Sequence, residues 1–208
     1  QHPKKVRAGE HIDIEVPTAD GPLKRSYSIV EQLDDGRSFA LSVFRTPTSR
    51  GGSEGMHELT PGQHVRITSP LQDFPLRIGA PRYVLLAGGI GITPIVGAAQ
   101  ALARRDAAVT LHYAVRTRGD AAYLDRLERL LGDRLIVHAA DEGRRLDLER
   151  VFADLPQDTM TLFCGPMRML DAARHAWEAS GRPMTDLRYE TFGSSGLLPT
   201  EAFRVRLA

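Results

Sequence analysis

"RYVLLAGGIGITPI", residues 82–95, is the stretch whose reading decides the fold. Tyr83 to Ala87 are all apolar or aromatic, and they run into Gly88, Gly89 and Gly91 before Thr93, Pro94 and a helical pattern. A short, continuous apolar run bounded by glycine reads as a strand covered on both faces, the mark of a parallel sheet. The first strand-to-helix turn of such a sheet is a favoured place for a phosphate, because free backbone N–H groups gather at the helix start. Glycines there let the main chain approach a ligand, and Pro94 suits an early helical position that needs no N–H. The dinucleotide fingerprint is nevertheless incomplete. Gly89-Ile90-Gly91-Ile92-Thr93-Pro94 ends in proline where a glycine belongs, and the next strand runs "YAVRTR" without a ribose-gripping acid. Taken alone, the turn reads equally as a phosphate site or as a structural bend.

Downstream, strand and helix alternate. "PIVGAAQALARR" is helical and "AVTLHYAV" is a strand; "DAAYLDRLERLL" places Leu124, Leu127 and Leu131 on one helical face, with Asp120 as the predicted N-cap. "RLIVHAA", "DLERVFADL", "TLFCG", "PMRMLDAARHAWEAS" and "LRYETF" complete an α/β half with a five-stranded parallel sheet. Upstream the rhythm differs. "HIDIEV" alternates Ile12, Ile14 and Val16 with polar residues, the period of a half-buried strand. "LKRSYSIV", "SFALSVFR" and "QHVRITS" read as further strands, with one helical turn around "SEGMHEL". An all-β antiparallel barrel or sandwich, residues 1–78, therefore precedes the α/β domain, residues 79–193; the seam falls in "LRIGAPR".

Composition bounds the function. Lys and Arg number 27 against 26 Asp and Glu, so no excess positive field exists to wrap nucleic acid or an anionic membrane. No apolar run approaches the roughly 18–20 residues of a membrane span, and "QHPKKVRAGEH" lacks the apolar core of a secretory signal. Cys164 is the only cysteine, which excludes an internal disulfide and a four-cysteine metal or iron–sulfur site in these residues. The expectation is a cytoplasmic protein. The seven His show no metal-ligand spacing.

Several short segments carry candidate chemistry. In "RSYS", Arg25 and Tyr27 share one strand face, and Ser26 and Ser28 share the other. Arginine offers a planar cation for phosphate, and tyrosine a flat ring with a hydroxyl. "SRGGS" offers Arg50, the amides of Gly51 and Gly52, and Ser53, a nest suited to an anion. Arg116 ends the second parallel strand, where it is either an adenosine ligand or a solvated side chain. Cys164 and Gly165 end the fourth in "FCGP", a second strand–turn–helix placed to open on the same crevice. A buried structural cysteine is the ordinary reading there.

Read in order, "RSYS", "RGGS", "GGIGITP", "CGP" and "YETFG" resemble the ferredoxin–NADP reductase superfamily, and more closely the phthalate dioxygenase reductase family. The resemblance covers nearly all of residues 9–196. It implies a barrel that binds FMN, an α/β domain that binds NADH, and a following ferredoxin domain with a two-iron two-sulfur cluster. It implies that Arg25, Tyr27 and Ser28 meet the flavin, and that Arg50, Gly51, Gly52 and Ser53 close over its phosphate. Gly89, Gly91 and Thr93 would face the nicotinamide nucleotide, with Arg116 near its adenosine half. Cys164 and Gly165 would sit by the nicotinamide, and Phe192 would shield the flavin until the nicotinamide displaces it. Thr93, Cys164 and Phe192 are thus the expected catalytic positions.

The expected activity is that of an NAD(P)H-dependent flavin oxidoreductase. It would pass electrons from NADH through FMN to an oxygenase component or ferredoxin, with no acid or base required from the protein at the central step. FMN is expected over FAD because "RGGS" leads quickly into "MHEL", leaving little chain for an adenine pocket. NADPH stays open, since Arg116 or Arg118 is available to a 2′-phosphate. Two departures stand out. The family's barrel begins with two strands before the segment matching "GEHIDIEV", so those strands lie outside this sequence, or the barrel is open or completed differently. Residues 194–208 would be a linker toward a ferredoxin domain absent from this chain. Two rivals remain: a stand-alone NAD(P)H:flavin reductase that releases its flavin, and a nucleotide-binding regulatory module without turnover.

Overall fold

The computed structural model describes residues 5–47 and 49–192, so the expected linker 194–208 lies outside the described residues. Two sheets organise the chain. The first holds β1 (Glu10–Val16), β2 (Leu23–Gln32), β3 (Phe39–Leu41), β4 (Arg66–Ile67) and β5 (Leu71–Gln72), with α1 (Gly52–Glu58) between β3 and β4. Its order is β3-β2-β1-β4, with β5 also paired to β1, and every pairing is antiparallel. This is half of a barrel. In its register Ile14 faces Arg25 and Ile12 faces Tyr27, so the apolar residues of β1 share a side with those of β2. Ile12, Ile14 and Val16 are buried there with Ile29, and Tyr27, Phe39 and Leu41 pack against them.

The second sheet is parallel. It holds β6 (Arg82–Gly88), β7 (Ala108–Val115), β8 (Leu135–Ala139), β9 (Thr159–Cys164) and β10 (Leu187–Glu190), in the order β10-β9-β6-β7-β8. The helices are α2 (Ile92–Ala103), α3 (Leu124–Leu131), α4 (Leu148–Ala153) and α5 (Met167–Ala179). β6 is central, which explains its unbroken apolar run. Tyr83, Leu85 and Ala87 enter one core with Ile95 and Val96 of α2, while Val84 and Leu86 enter another with Phe152 of α4 and Trp177 of α5. Val30 of β2 and Phe74 also belong to the α2-side core, so the two sheets are joined by apolar packing.

The order reverses at β6: β7 and β8 lie to one side, β9 and β10 to the other. The chain leaves β6 and β9 toward opposite faces, α2 into one core and α5 into the other, and the ends of these two strands mark the switch point where such sheets take ligands. The structure departs from the sequence expectations in four places. "SFALSVFR" pairs only over Phe39–Leu41, and "QHVRITS" only over Arg66–Ile67. The short β5 was not expected. Asp120 does not cap α3. Its carboxylate accepts from the Thr117 N–H at 3.2 Å in a capping box on a 3-10 turn, and α3 starts later, after Tyr123. The local turn satisfied Asp120 before the helix could use it.

Candidate functional site

The two glycine turns at the switch point touch through their main chains. A Cβ on Gly91 would lie 2.2 Å from the Cys164 carbonyl oxygen, and one on Gly88 would lie 2.8 Å from Met169 Sδ and Pro166 Cδ. Glycine at 88 and 91 is thus demanded by the neighbouring turn "CGP", where a Cβ on Gly165 would in turn lie 3.2 Å from the Gly88 nitrogen. Gly89 differs: its φ is +53° and nothing lies within 4 Å of its missing Cβ. It is the glycine of this turn that faces open space. The Thr93 hydroxyl donates to the Ile90 carbonyl at 3.1 Å and is buried, so it braces the turn from within. Tyr113 of β7 donates to the Gly89 carbonyl at 3.3 Å and holds the turn from the next strand.

Arg116 follows directly at the end of β7 and is exposed, whereas Arg118 is engaged by Glu128 at 3.0 Å. Of the two arginines, Arg116 is the nearer to the strand end and is open to solvent there.

A cleft of about 400 Å3 lies beside this region. Its floor comes from the antiparallel sheet, with His11 and Ser28 facing each other across β1 and β2; Asp73 stands on one wall, and Glu190, Thr191 and Phe192 form the other. Arg25 and Ser26 line it as well. Ser26 donates to Asp13 at 2.6 Å, and Lys24 meets the same carboxylate at 2.8 Å. The Lys24 hydrogen bond, then that of Ser26, hold the Asp13 carboxyl below the usual range. Tyr27 does not line the cleft and packs instead among the apolar residues of β1 and β2.

The two barrel motifs meet. A Cβ on Gly52 would lie 2.5 Å from Arg25 Nε, so the glycine lets the start of α1 rest on the arginine stem. Gly51 takes φ +86° at the turn into α1, and Ser53 accepts from the Thr46 N–H at 3.2 Å while donating to Ser49 at 3.1 Å. Arg50 is exposed at the edge of this nest.

Glu190 links the cleft to the glycine turns. It pairs with Cys164 in the β9–β10 register, and its side chain lines the cleft two residues before Phe192. Burial, and secondly the charge of Asp73, push its carboxyl up to about 7. Burial, then the nearby Glu190, raise the Cys164 thiol, which is fully enclosed and so chemically quiet. Two buried polar atoms in this cleft have no hydrogen-bond partner, His11 Nδ1 and Glu190 Oε2. His11 Nε2 lies 3.8 Å from Asp73. Sequence reasoning passed over Glu190, His11, Asp73 and Tyr113. Glu190 stood inside the quoted "YETFG", but a lone acid on a strand carries no signal until its burial is seen.

The geometry has known counterparts. A profile of the oxidoreductase NAD-binding domain matches residues 85–175. The chain is 34% identical over 202 residues to the heme-dependent oxidative N-demethylase beta subunit of Ectopseudomonas mendocina, covering 97% of this chain and 63% of that protein. It is 36% identical over 194 residues to the vanillate O-demethylase oxidoreductase of Pseudomonas putida, covering 92% and 60%. Among solved structures, phthalate dioxygenase reductase superposes with a TM-score of 0.77 at 28% identity, over 91% of this chain and 59% of that one. The chain belongs to the phthalate dioxygenase reductase family. An intact type IV self-sufficient cytochrome P450 monooxygenase also contains the fold, with a TM-score of 0.85 and 38% identity over 92% of this chain and 24% of that one. This reductase-family chain spans about three fifths of the length of the first two relatives, 63% and 60%. An NAD(H) site and a flavin site are properties that its family and fold support. Among the described residues no helix is long and apolar enough to cross a membrane.

Proposed function

We propose that this chain is the flavin- and NADH-binding part of a reductase that passes electrons from NADH through FMN to an iron–sulfur centre serving a Rieske-type oxygenase. The observation that carries the reading is the shared wall: Glu190 and Phe192 line the cleft, while Glu190 sits against Cys164 of the glycine turns. A group in the cleft and a nucleotide on those turns are thereby neighbours, as an electron transfer between them needs.

The residues fit a flavin. His11 Nδ1 and Glu190 Oε2 are buried polar atoms that lack partners inside an open cleft, and a ring with hydrogen-bonding edges would satisfy them. Arg25, with Gly51, Gly52 and Ser53 at the start of α1, supplies a cation, amides and a hydroxyl for the phosphate end, and Arg50 stands ready at its rim. Because α1 begins at Gly52 itself, no loop follows the nest to enclose an adenine, which favours FMN. Ser28 and Phe192 would bound the ring, and Tyr27 would support the strand from its apolar side. When bound, a flavin accepts a hydride equivalent and can return electrons singly. Gly89 leaves open space for the dinucleotide, Thr93 and Tyr113 keep that turn rigid, and Arg116 would meet the adenosine half. Gly91 and Gly165 let the two turns close on each other, and Cys164 closes the floor. Residues 1–78 would hold the flavin and 79–193 the nucleotide; a cytoplasmic setting suits such a protein.

The deciding experiment is anaerobic addition of NADH to the FMN-reconstituted chain. Stoichiometric bleaching of the flavin absorbance is expected, and an unchanged spectrum would overturn the reading. A stand-alone flavin reductase is the second reading, since the cleft is open on one side; flavin lost during gel filtration would favour it, and retained flavin the first.

A further inference from the structure

We propose that Tyr123 is a positioning residue: a strut between the lobes, through which the nucleotide-side loop 117–123 sets the flavin-side segment 42–46. The proposal rests on the reading above of which ligand each lobe takes. Its core is a single hydrogen bond between the Tyr123 and Ser42 hydroxyls, groups 81 positions apart in the chain and on different lobes.

Each end of that bond is tied to a ligand-facing element. On the flavin side, Ser42 is followed by Val43, whose carbonyl lies 2.9 Å from His57 Nε2 near the end of α1. Thr46 donates its N–H to Ser53 at the start of the same helix, and Arg45 lies 3.6 Å from Glu54. The segment 42–46 therefore grips α1 at both ends, and α1 begins with Gly52 resting on Arg25. On the nucleotide side, the loop is fixed by the Thr117–Asp120 capping box and by Arg118 on Glu128. The Ala122 N–H lies against the Tyr113 hydroxyl, and that hydroxyl holds the Gly89 carbonyl.

Tyr123 itself has φ 63° and ψ 15°. A bulky non-glycine residue is rarely held in the left-handed region, and it persists only where surrounding contacts over-determine it. Here they do: the Tyr123 carbonyl accepts the Leu127 N–H to open α3, while its hydroxyl reaches the other lobe. A phenylalanine would fill the same space and keep the helix. The hydroxyl has no role in that packing, which leaves the bridge to Ser42 as its function. Moving the loop on nucleotide binding would displace Ser42, and with it the helix that faces the flavin phosphate.

Coupling of this kind is reciprocal and measurable as a ratio of affinities. ADP-ribose serves as the probe, because it carries the adenosine and pyrophosphate but no nicotinamide and so causes no reduction. The dissociation constant of FMN, from quenching of flavin fluorescence, is measured with and without saturating ADP-ribose. A change of about fivefold or more is expected for the unaltered chain. Tyr123→Phe and Ser42→Ala should each shrink it to less than about twofold, and the double variant no further, since both remove one bond. FMN affinity without ADP-ribose should stay the same in all four proteins. A factor near one in the unaltered chain, or an undiminished factor in both variants, would overturn the proposal. Failure of the unaltered chain to bind FMN, or to bind ADP-ribose by calorimetry, would instead strike the proposed function beneath it. Ser42→Ala leaves the strained backbone untouched, so it answers the question even if Tyr123→Phe folds poorly.

Discussion

At the scale of single residues, the glycines of one turn do different work. Gly91 is pressed against main chain, because its Cβ would fall 2.2 Å from the Cys164 oxygen and 2.6 Å from the Cys164 carbon. Backbone cannot swing aside as a flexible side chain does. Gly91→Ala is expected to cost about 3 kcal/mol, the upper part of the range for overpacking. Gly89→Ala meets open space and carries only the left-handed backbone penalty of about 1 kcal/mol. It should instead raise the KM for NADH. Urea unfolding of both variants separates the two roles; equal losses would contradict them. Glu190 gives a second test, in pH. Its carboxyl sits at about 7 when folded against 4.5 for an ordinary glutamate. Between those values the folded chain keeps a proton that the unfolded chain has released, so stability declines as pH rises through that window. Above about pH 7 both states are ionised, and the full cost of the buried charge remains. Glu190→Gln should flatten the stability profile between pH 5 and 8, gaining most at the alkaline end. An unchanged slope in urea titrations would show that burial does not hold the proton.

Elements depend on their ends. α4 is capped by Asp147, which accepts the Arg150 N–H at 3.0 Å. Asp147→Ala should cost about 1 kcal/mol and leave NADH oxidation alone. Asp120→Ala should cost a similar amount, yet also raise the KM for NADH, since its capping box shapes the loop that carries Arg118 and Tyr123. Thermal unfolding and steady-state kinetics on the pair distinguish a cap that serves a helix from one that serves a loop. The two aspartates also mark how far local sequence reaches. Both stand before helical periodicity, but Thr117 lies three residues ahead of Asp120 and competes for it, shifting α3 to Leu124. β6 was legible because a strand buried on two faces must be apolar throughout. β4 was foreseen within "QHVRITS" but at greater length, and β5 was missed, since two-residue pairings carry no period to read.

At the scale of the whole molecule, the lobes are held by apolar burial more than by charge. Val30 and Phe74 enter the α2-side core, and Tyr83 anchors the seam by accepting the N–H groups of Gly79 and Ala80 at 2.9 Å each. Arg126 spans the lobes to both oxygens of Glu31, at 3.0 and 3.3 Å, but the two side chains keep 29% and 45% of their exposure. Such a pair is screened, so Arg126→Met should change stability by less than about 1 kcal/mol, and by nothing measurable in 1 M salt. A loss of several kcal/mol in urea unfolding would mean that the ionic bridge carries the interface.

Periodicity and punctuation alone determined that an antiparallel β lobe precedes a five-stranded parallel one, and that glycine turns end two of its strands. They did so because burial on one or two faces writes a period into the chain that no distant contact need supply. The tertiary structure decided what that period cannot encode: which glycines face a neighbouring turn and which face open space, which side of β2 turns to the cleft, and that Glu190 stands between the cleft and the glycine turns. Those facts depend on which strands become neighbours, and a switch in strand order about β6 brings residues 88 and 165, or 11 and 190, together across distances in sequence where no local propensity acts.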